Sequence, residues 1–206
     1  MTDVTLKRVH DQIMACPKCA LSKSRTKAVP GEGAENARVM FIGEGPGWYE
    51  DQQGRPFVGP AGQLLDQLLT LIKLPRPEVF ITNLVKCRPP NNRDPRPEES
   101  EACAPYLDSQ IELISPRVIV TLGRHSMARF FPGKSISQVH GTTRKANGVV
   151  YFALYHPAAA LRQEKLRQVL EQDFLKLPSI ISEAEKLMMI GNDKAGEKPE
   201  QQLSLF

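Results

Sequence analysis

Four cysteines, Cys16, Cys19, Cys87 and Cys103, are all that the 206-residue chain contains. Cys16-Pro-Lys-Cys19 is a CxxC, a spacing that lets two thiolates reach one metal or cluster. Cys87 and Cys103 are each distant and solitary, unlike the two close pairs of a zinc ribbon. The pattern points to one four-thiolate site. It is more compatible with a cubane iron–sulfur cluster than with zinc, but zinc stays open because tetrahedral sulfur ligation suits both. Disulfides are disfavoured, because no export signal precedes these cysteines. A thioredoxin-type pair would sit at a strand-to-helix junction. This CxxC instead follows an amphipathic segment over residues 4–15, with Leu6, Val9 and Ile13 on one face, and precedes a basic loop.

The elements that would carry such a site are legible as apolar runs. Residues 38–43, 78–83, 117–122 and 148–154 are continuous rather than alternating, as in strands covered on both faces. Helical patterns follow over residues 61–73, 97–115, 124–131 and 158–189, and 131–147 reads mostly as loop. Pro97 with Glu98 and Glu99 makes a proper helix start. Strand–helix alternation implies an α/β fold with a parallel, doubly wound sheet. Ligands of such sheets bind beyond the carboxyl ends of the strands. There the chain places Gly43-Glu44-Gly45-Pro46-Gly47, then Thr82-Asn83 leading to Lys86-Cys87-Arg88-Pro89-Pro90, then Gly123-Arg124-His125, and finally Tyr155-His156-Pro157.

Composition is that of an ordinary globular protein, with 41% hydrophobic and 24% charged residues. No apolar run is long enough to span a bilayer. The first residues lack the apolar core of a signal peptide, so a cytoplasmic protein is expected. A net charge of +4 mildly favours an anionic partner such as nucleic acid. Residues 191–200 are polar and aperiodic and read as a flexible linker. The linker ends in Gln201-Gln202-Leu203-Ser204-Leu205-Phe206, whose apolar residues suit a peptide docking in another protein's groove.

These motifs, in this order, resemble the iron–sulfur family 4 uracil-DNA glycosylases of bacteria and archaea. The matching pieces are Cys16-Pro-Lys-Cys19, Gly43-Glu44-Gly45-Pro46-Gly47, Gly54-Arg-Pro-Phe57-Val-Gly59, Thr82-Asn83-Leu-Val-Lys-Cys87-Arg-Pro-Pro90, Cys103 and His156-Pro157. The resemblance implies a three-layer α/β/α domain over residues 1–190 with a central four-stranded parallel sheet. It implies a 4Fe-4S cluster on the four cysteines, and excision of uracil from single- or double-stranded DNA in base excision repair. A nucleoid-associated monomer is expected. The insertion that marks uracil-crosslinking relatives is absent, so turnover is expected. The rival reading is a zinc- or cluster-stabilised nucleic-acid-binding module without catalysis.

Within that resemblance the residues have assignable roles. An extruded uracil needs a stacking face, here Phe57. Asn83 offers an amide acceptor and donor matched to uracil N3–H and O4, and mismatched to cytosine. His156 is placed to donate to O2 as negative charge develops on the leaving base. Glu44 is expected to bond backbone or uracil groups nearby. Gly43 and Gly45 let the backbone approach the ligand, and Gly45 occupies the position where family 1 relatives carry a carboxylate. Glu50 is expected to fill the space beside uracil C5. Ala160 stands where many family members carry a wedge leucine, leaving Leu161 as the candidate. DNA phosphates are assigned to Arg88, Arg93, Arg96, Arg144, Lys145 and Arg162. His10, His125 and His140 are read as structural. The terminal Gln202, Leu203, Ser204, Leu205 and Phe206 resemble the motif by which bacterial repair proteins bind the sliding clamp.

Overall fold

The computed structural model describes residues 4–195. In chain order the elements are α1 (Leu6–Met14), β1 (Glu32–Gly33), β2 (Val39–Gly43), α2 (Trp48–Gln53), α3 (Pro60–Leu71), β3 (Phe80–Asn83), α4 (Pro97–Ile114), β4 (Val118–Leu122), α5 (Arg124–Phe130), α6 (Ile136–Val139), β5 (Thr143–Ala146), β6 (Val149–Leu154), α7 (Pro157–Ala160), α8 (Glu164–Phe174) and α9 (Leu177–Ala195).

The four expected strands, β2, β3, β4 and β6, pair in parallel. The sheet has six strands, however, in the order β1-β3-β2-β4-β6-β5, because antiparallel β1 and β5 extend its edges. Neither edge strand announces itself in sequence. β1 is a two-residue Glu-Gly pair, and β5 reads Thr-Arg-Lys-Ala with an exposed pattern. Polar, short edges resist pairing with other chains.

Both faces of the sheet are covered. Val39, Phe41, Val118, Val120, Phe152 and Leu154 pack with residues of α3, α8 and α9. Met40, Ile42, Phe80 and Ile119 pack with Leu6 of α1 and Leu107 and Ile114 of α4. Successive strand residues thus enter opposite cores, which explains the absence of alternation. The layers are α/β/α.

Two further expectations need correction. The segment 158–189 is three helices, α7, α8 and α9, separated by short breaks. Residues 191–195, expected to open a linker, belong to α9. Residues 196–200 and the clamp-like peptide 201–206 lie outside the described residues. No described helix is long and apolar enough to cross a membrane.

Register fixes the rim. Gly43 pairs with Asn83 and Leu122 with Leu154, so the chain leaves all four parallel strands along one edge. The crossovers from β2 and β4 run in opposite directions across the sheet, which opens a crevice between their carboxyl ends.

Candidate active site and thiolate centre

A cavity of about 550 Å³ occupies that crevice. It is lined by Glu44, Gly45, Gly47, Glu50, Phe57, Asn83 and His156, all named from sequence, and by Arg93 and Arg162. Asn83 closes β3 and is only 2% exposed, yet no hydrogen bond among the described residues engages its side-chain amide. Buried amides are normally satisfied within the protein. Facing a cavity, this one is a preformed donor–acceptor pair for a ligand.

Gly43 leaves room for that amide. A Cβ there would lie 2.4 Å from Asn83 Oδ1 and 2.7 Å from Phe57 Cζ. Phe57 adopts φ +50°, a left-handed conformation that costs a non-glycine residue energy. Arg76 holds it there, with Nη1 donating to Phe57 O at 3.3 Å and Nη2 to Pro56 O at 2.7 Å. Arg76 is itself fixed by Glu32 and Asp66. Although burial pushes the Glu32 carboxyl up, hydrogen bonds from Arg55 and Arg76 outweigh it and hold Glu32 below the usual range.

His156 is the N-cap of α7, and its Nδ1 accepts the Ala158 N–H at 3.0 Å. A neutral ring therefore carries its proton on Nε2. Burial lowers its pKa, against smaller opposing effects of Glu44 and Glu50, so the neutral form prevails at pH 7. Its ring stacks on Phe57 with centroids 5.6 Å apart. Asn83, Phe57 and His156 thus converge on one cavity.

Glu44 and Glu50 are engaged by the protein. Glu44 Oε1 accepts the His125 N–H at 3.3 Å, and Oε2 lies 3.1 Å from His125 Nδ1. His125, read from sequence as structural, stands behind the cavity wall and holds Glu44, which lines the cavity. Glu44, Asp94 and His125 bring ligand atoms within 4.8 Å of one another. Arg124, placed at the rim from sequence but given no role there, pairs with Asp94 and lines the cavity. Glu50 is held by backbone donors. Its Oε1 accepts from Val58 N and Gly59 N at 2.9 and 2.8 Å, and Oε2 from Gly47 N at 3.1 Å. It lines the pocket while tying two pocket loops together.

The basic residues divide. Arg93 and Arg162 border the cavity, and Arg93 forks onto buried Glu99, whose carboxyl that hydrogen bond holds below its ordinary range. Arg88 bonds Asn92, a cavity residue, and Arg96 is exposed at the start of α4. Arg144 and Lys145 are displaced from the site. On β5 they oppose Tyr151 and Val150, toward the rim away from His156, and Arg144 donates to Phe130 O. Leu161 is exposed beyond α7, while Ala160 is buried in the main core.

The cysteines are free thiols arranged around one corner. Cys19, Cys87 and Cys103 pack with Leu21 and Val85, and Cys16 packs beside Tyr106. Arg25 donates to Cys87 Sγ at 3.0 Å, and backbone N–H groups of Lys18 and Lys86 reach Cys16 and Cys103. Such N–H···S contacts are what metal-bound sulfurs use. Burial pushes Cys103 up to about 11 and raises Cys87, so ligation must displace protons from both. Next to Cys87, the Lys86 Nζ is wholly buried and bonds Thr82 Oγ1, Asn83 O and Gln110 Oε1 at 2.6, 2.8 and 2.8 Å. This network joins the thiolate corner to the strand end that carries Asn83.

The cavity sits at the rim of a doubly wound sheet, and the family model described as the uracil DNA glycosylase superfamily matches residues 30–177, so the chain belongs to that superfamily. Its relatives narrow the group. The type-4 uracil-DNA glycosylase of Sulfurisphaera tokodaii is 50% identical over 183 residues, covering 84% of this chain and 83% of the relative. That of Saccharolobus solfataricus is 47% identical over 206 residues, covering 94% and 95%. That of Thermotoga maritima is 44% identical over 178 residues, covering 84% and 93%.

Proposed function

We propose that this chain is a type-4 uracil-DNA glycosylase, hydrolysing the N-glycosidic bond of deoxyuridine in DNA as the first step of repair. The observation that carries the reading is the buried, unengaged Asn83 amide facing the same cavity as Phe57 and the His156 ring. Uracil turned out of the strand stacks on Phe57. Asn83 Oδ1 accepts from N3–H and Nδ2 donates to O4; cytosine offers a donor where uracil has O4 and no N3–H, so it opposes both bonds. As the C1′–N1 bond breaks, its electron pair leaves with the base, and His156 Nε2–H stabilises the charge spreading to O2. Water supplies the hydroxyl that bonds to C1′, and its remaining proton neutralises the departing base.

Cys16, Cys19, Cys87 and Cys103 are the proposed ligands of a 4Fe-4S cluster; an all-sulfur donor set with N–H···S support favours this over a mixed-ligand metal. When bound, the cluster supplies a rigid cross-link between the segment after α1 and α4. Iron and sulfide analysis of purified protein tests it against zinc. Residues 202–206 are proposed to dock on the sliding clamp; truncation after Glu200 should abolish clamp binding, and unchanged binding refutes the assignment. A monomer acting at the nucleoid is the proposed state. Release of free uracil from a deoxyuridine-containing oligonucleotide, with the strand left intact, tests the activity itself.

A further inference from the structure

α2 is folded inside out. Its carboxylates are turned inward, with Asp51 2% and Glu50 9% exposed, while Trp48 is 51% and Tyr49 49% exposed. Solvation and the hydrophobic effect favour the reverse, since carboxylates are costly to bury and aromatic rings are costly to leave in water. The inversion is enforced by backbone donors. Glu50 collects Gly47, Val58 and Gly59, and Asp51 Oδ1 accepts the Thr26 N–H at 2.9 Å. With both acids so held, the helix cannot turn over and the aromatics are kept outward.

The position of the pair is informative. Gly47, the N-cap of α2, lines the uracil cavity, and so does Glu50. Tyr49 packs on Gly59, where an added Cβ would lie 3.0 Å from its Cδ2. The pair therefore stands at the lip of the cavity. The Trp48 and Tyr49 rings meet edge to face with centroids 5.1 Å apart. In such a pair the ring presenting its edge keeps both faces open. Exposed Arg162, and exposed Arg124 with its partner Asp94, line the same cavity. Open aromatic faces beside cations are what single-stranded nucleic acid binds.

We propose that Trp48 and Tyr49 form a stacking platform for unpaired bases flanking the extruded uracil in single-stranded DNA. The inference rests on the glycosylase reading and specifies where its substrate strand runs. Trp48 is the chain's single tryptophan, so its emission reports this lip alone. The test titrates the full chain at low salt with a uracil-free single-stranded oligonucleotide. Saturable quenching of Trp48 is expected. Trp48→Ala should weaken binding about tenfold, in the range of one lost base–aromatic stack, and Trp48→Phe should restore most of it. Binding of a labelled strand without any quenching overturns the platform, as does emission that follows protein concentration rather than DNA, which would mark a contact between copies. Uracil release by the unaltered chain is scored separately. Release without quenching removes only the platform, whereas quenching without release removes the enzyme and leaves a single-strand binder.

Discussion

Asn83 and His156 divide the chemistry between recognition and departure, and each has a distinct signature. Asn83→Ala should lower kcat/KM for uracil release by about a hundredfold, the loss of two buried hydrogen bonds in the transition state. His156→Ala should cost about 10²–10³-fold in kcat, as for other single donors to a developing anion. Its pH dependence has a definite sign. Burial lowers the His156 pKa, so the ring is neutral above its ordinary value and protonates only at more acidic pH. A protonated Nδ1 can no longer accept the Ala158 N–H, and the α7 cap is lost. Its contribution to stability is therefore full above about pH 6.5 and declines below it as the unfolded chain takes up the proton first. A pH–rate profile should be flat above neutrality and fall on the acid side; a His156→Ala profile should lose that limb. Gly43→Ala isolates geometry from chemistry. Its Cβ would collide with Asn83 Oδ1 and Phe57 Cζ, so the variant should lose activity and about 1–3 kcal/mol of stability by thermal unfolding. Asn83 and His156 were legible in sequence because both stand at strand ends. The work of Glu50 was not, since its partners include backbone amides of Val58 and Gly59, which no residue type reveals.

At the scale of elements, the site depends on loops held by buried carboxylates. Glu50 bridges the turn before α2 to the loop before α3, and Glu50→Gln replaces one acceptor by a donor facing backbone N–H groups. It should cost about 1–3 kcal/mol in denaturant unfolding and reduce uracil release, because both sides of the cavity drift. The parallel strands were plain from their apolar runs, since burial on both faces requires them. β5 was invisible because a polar edge strand has no core to fill, and it places Arg144 and Lys145 toward the rim away from His156. α2 escaped notice for a related reason. Its buried acids and exposed aromatics invert the pattern by which amphipathic helices are recognised.

The whole molecule joins a corner of four cysteines to a sheet rim whose cavity is lined by arginines and carboxylates. Phosphate contacts should make DNA affinity fall steeply with salt, with a log–log slope of about −0.7 per phosphate on single strands. Arg162→Ala should lower that slope by about one contact, while Arg144→Ala leaves it unchanged. The central claim is that one cavity reads uracil through Asn83 and eases its departure through His156. It is tested most directly by single-turnover release of uracil from a single-stranded oligonucleotide carrying one deoxyuridine, compared among the unaltered chain, Asn83→Ala and His156→Ala. The unaltered chain should release free uracil and leave an intact abasic strand, with both variants slowed by about a hundredfold or more. Release at an undiminished rate by folded variants would contradict the assignment of these two residues, and no release by the unaltered, cluster-loaded chain would contradict the activity.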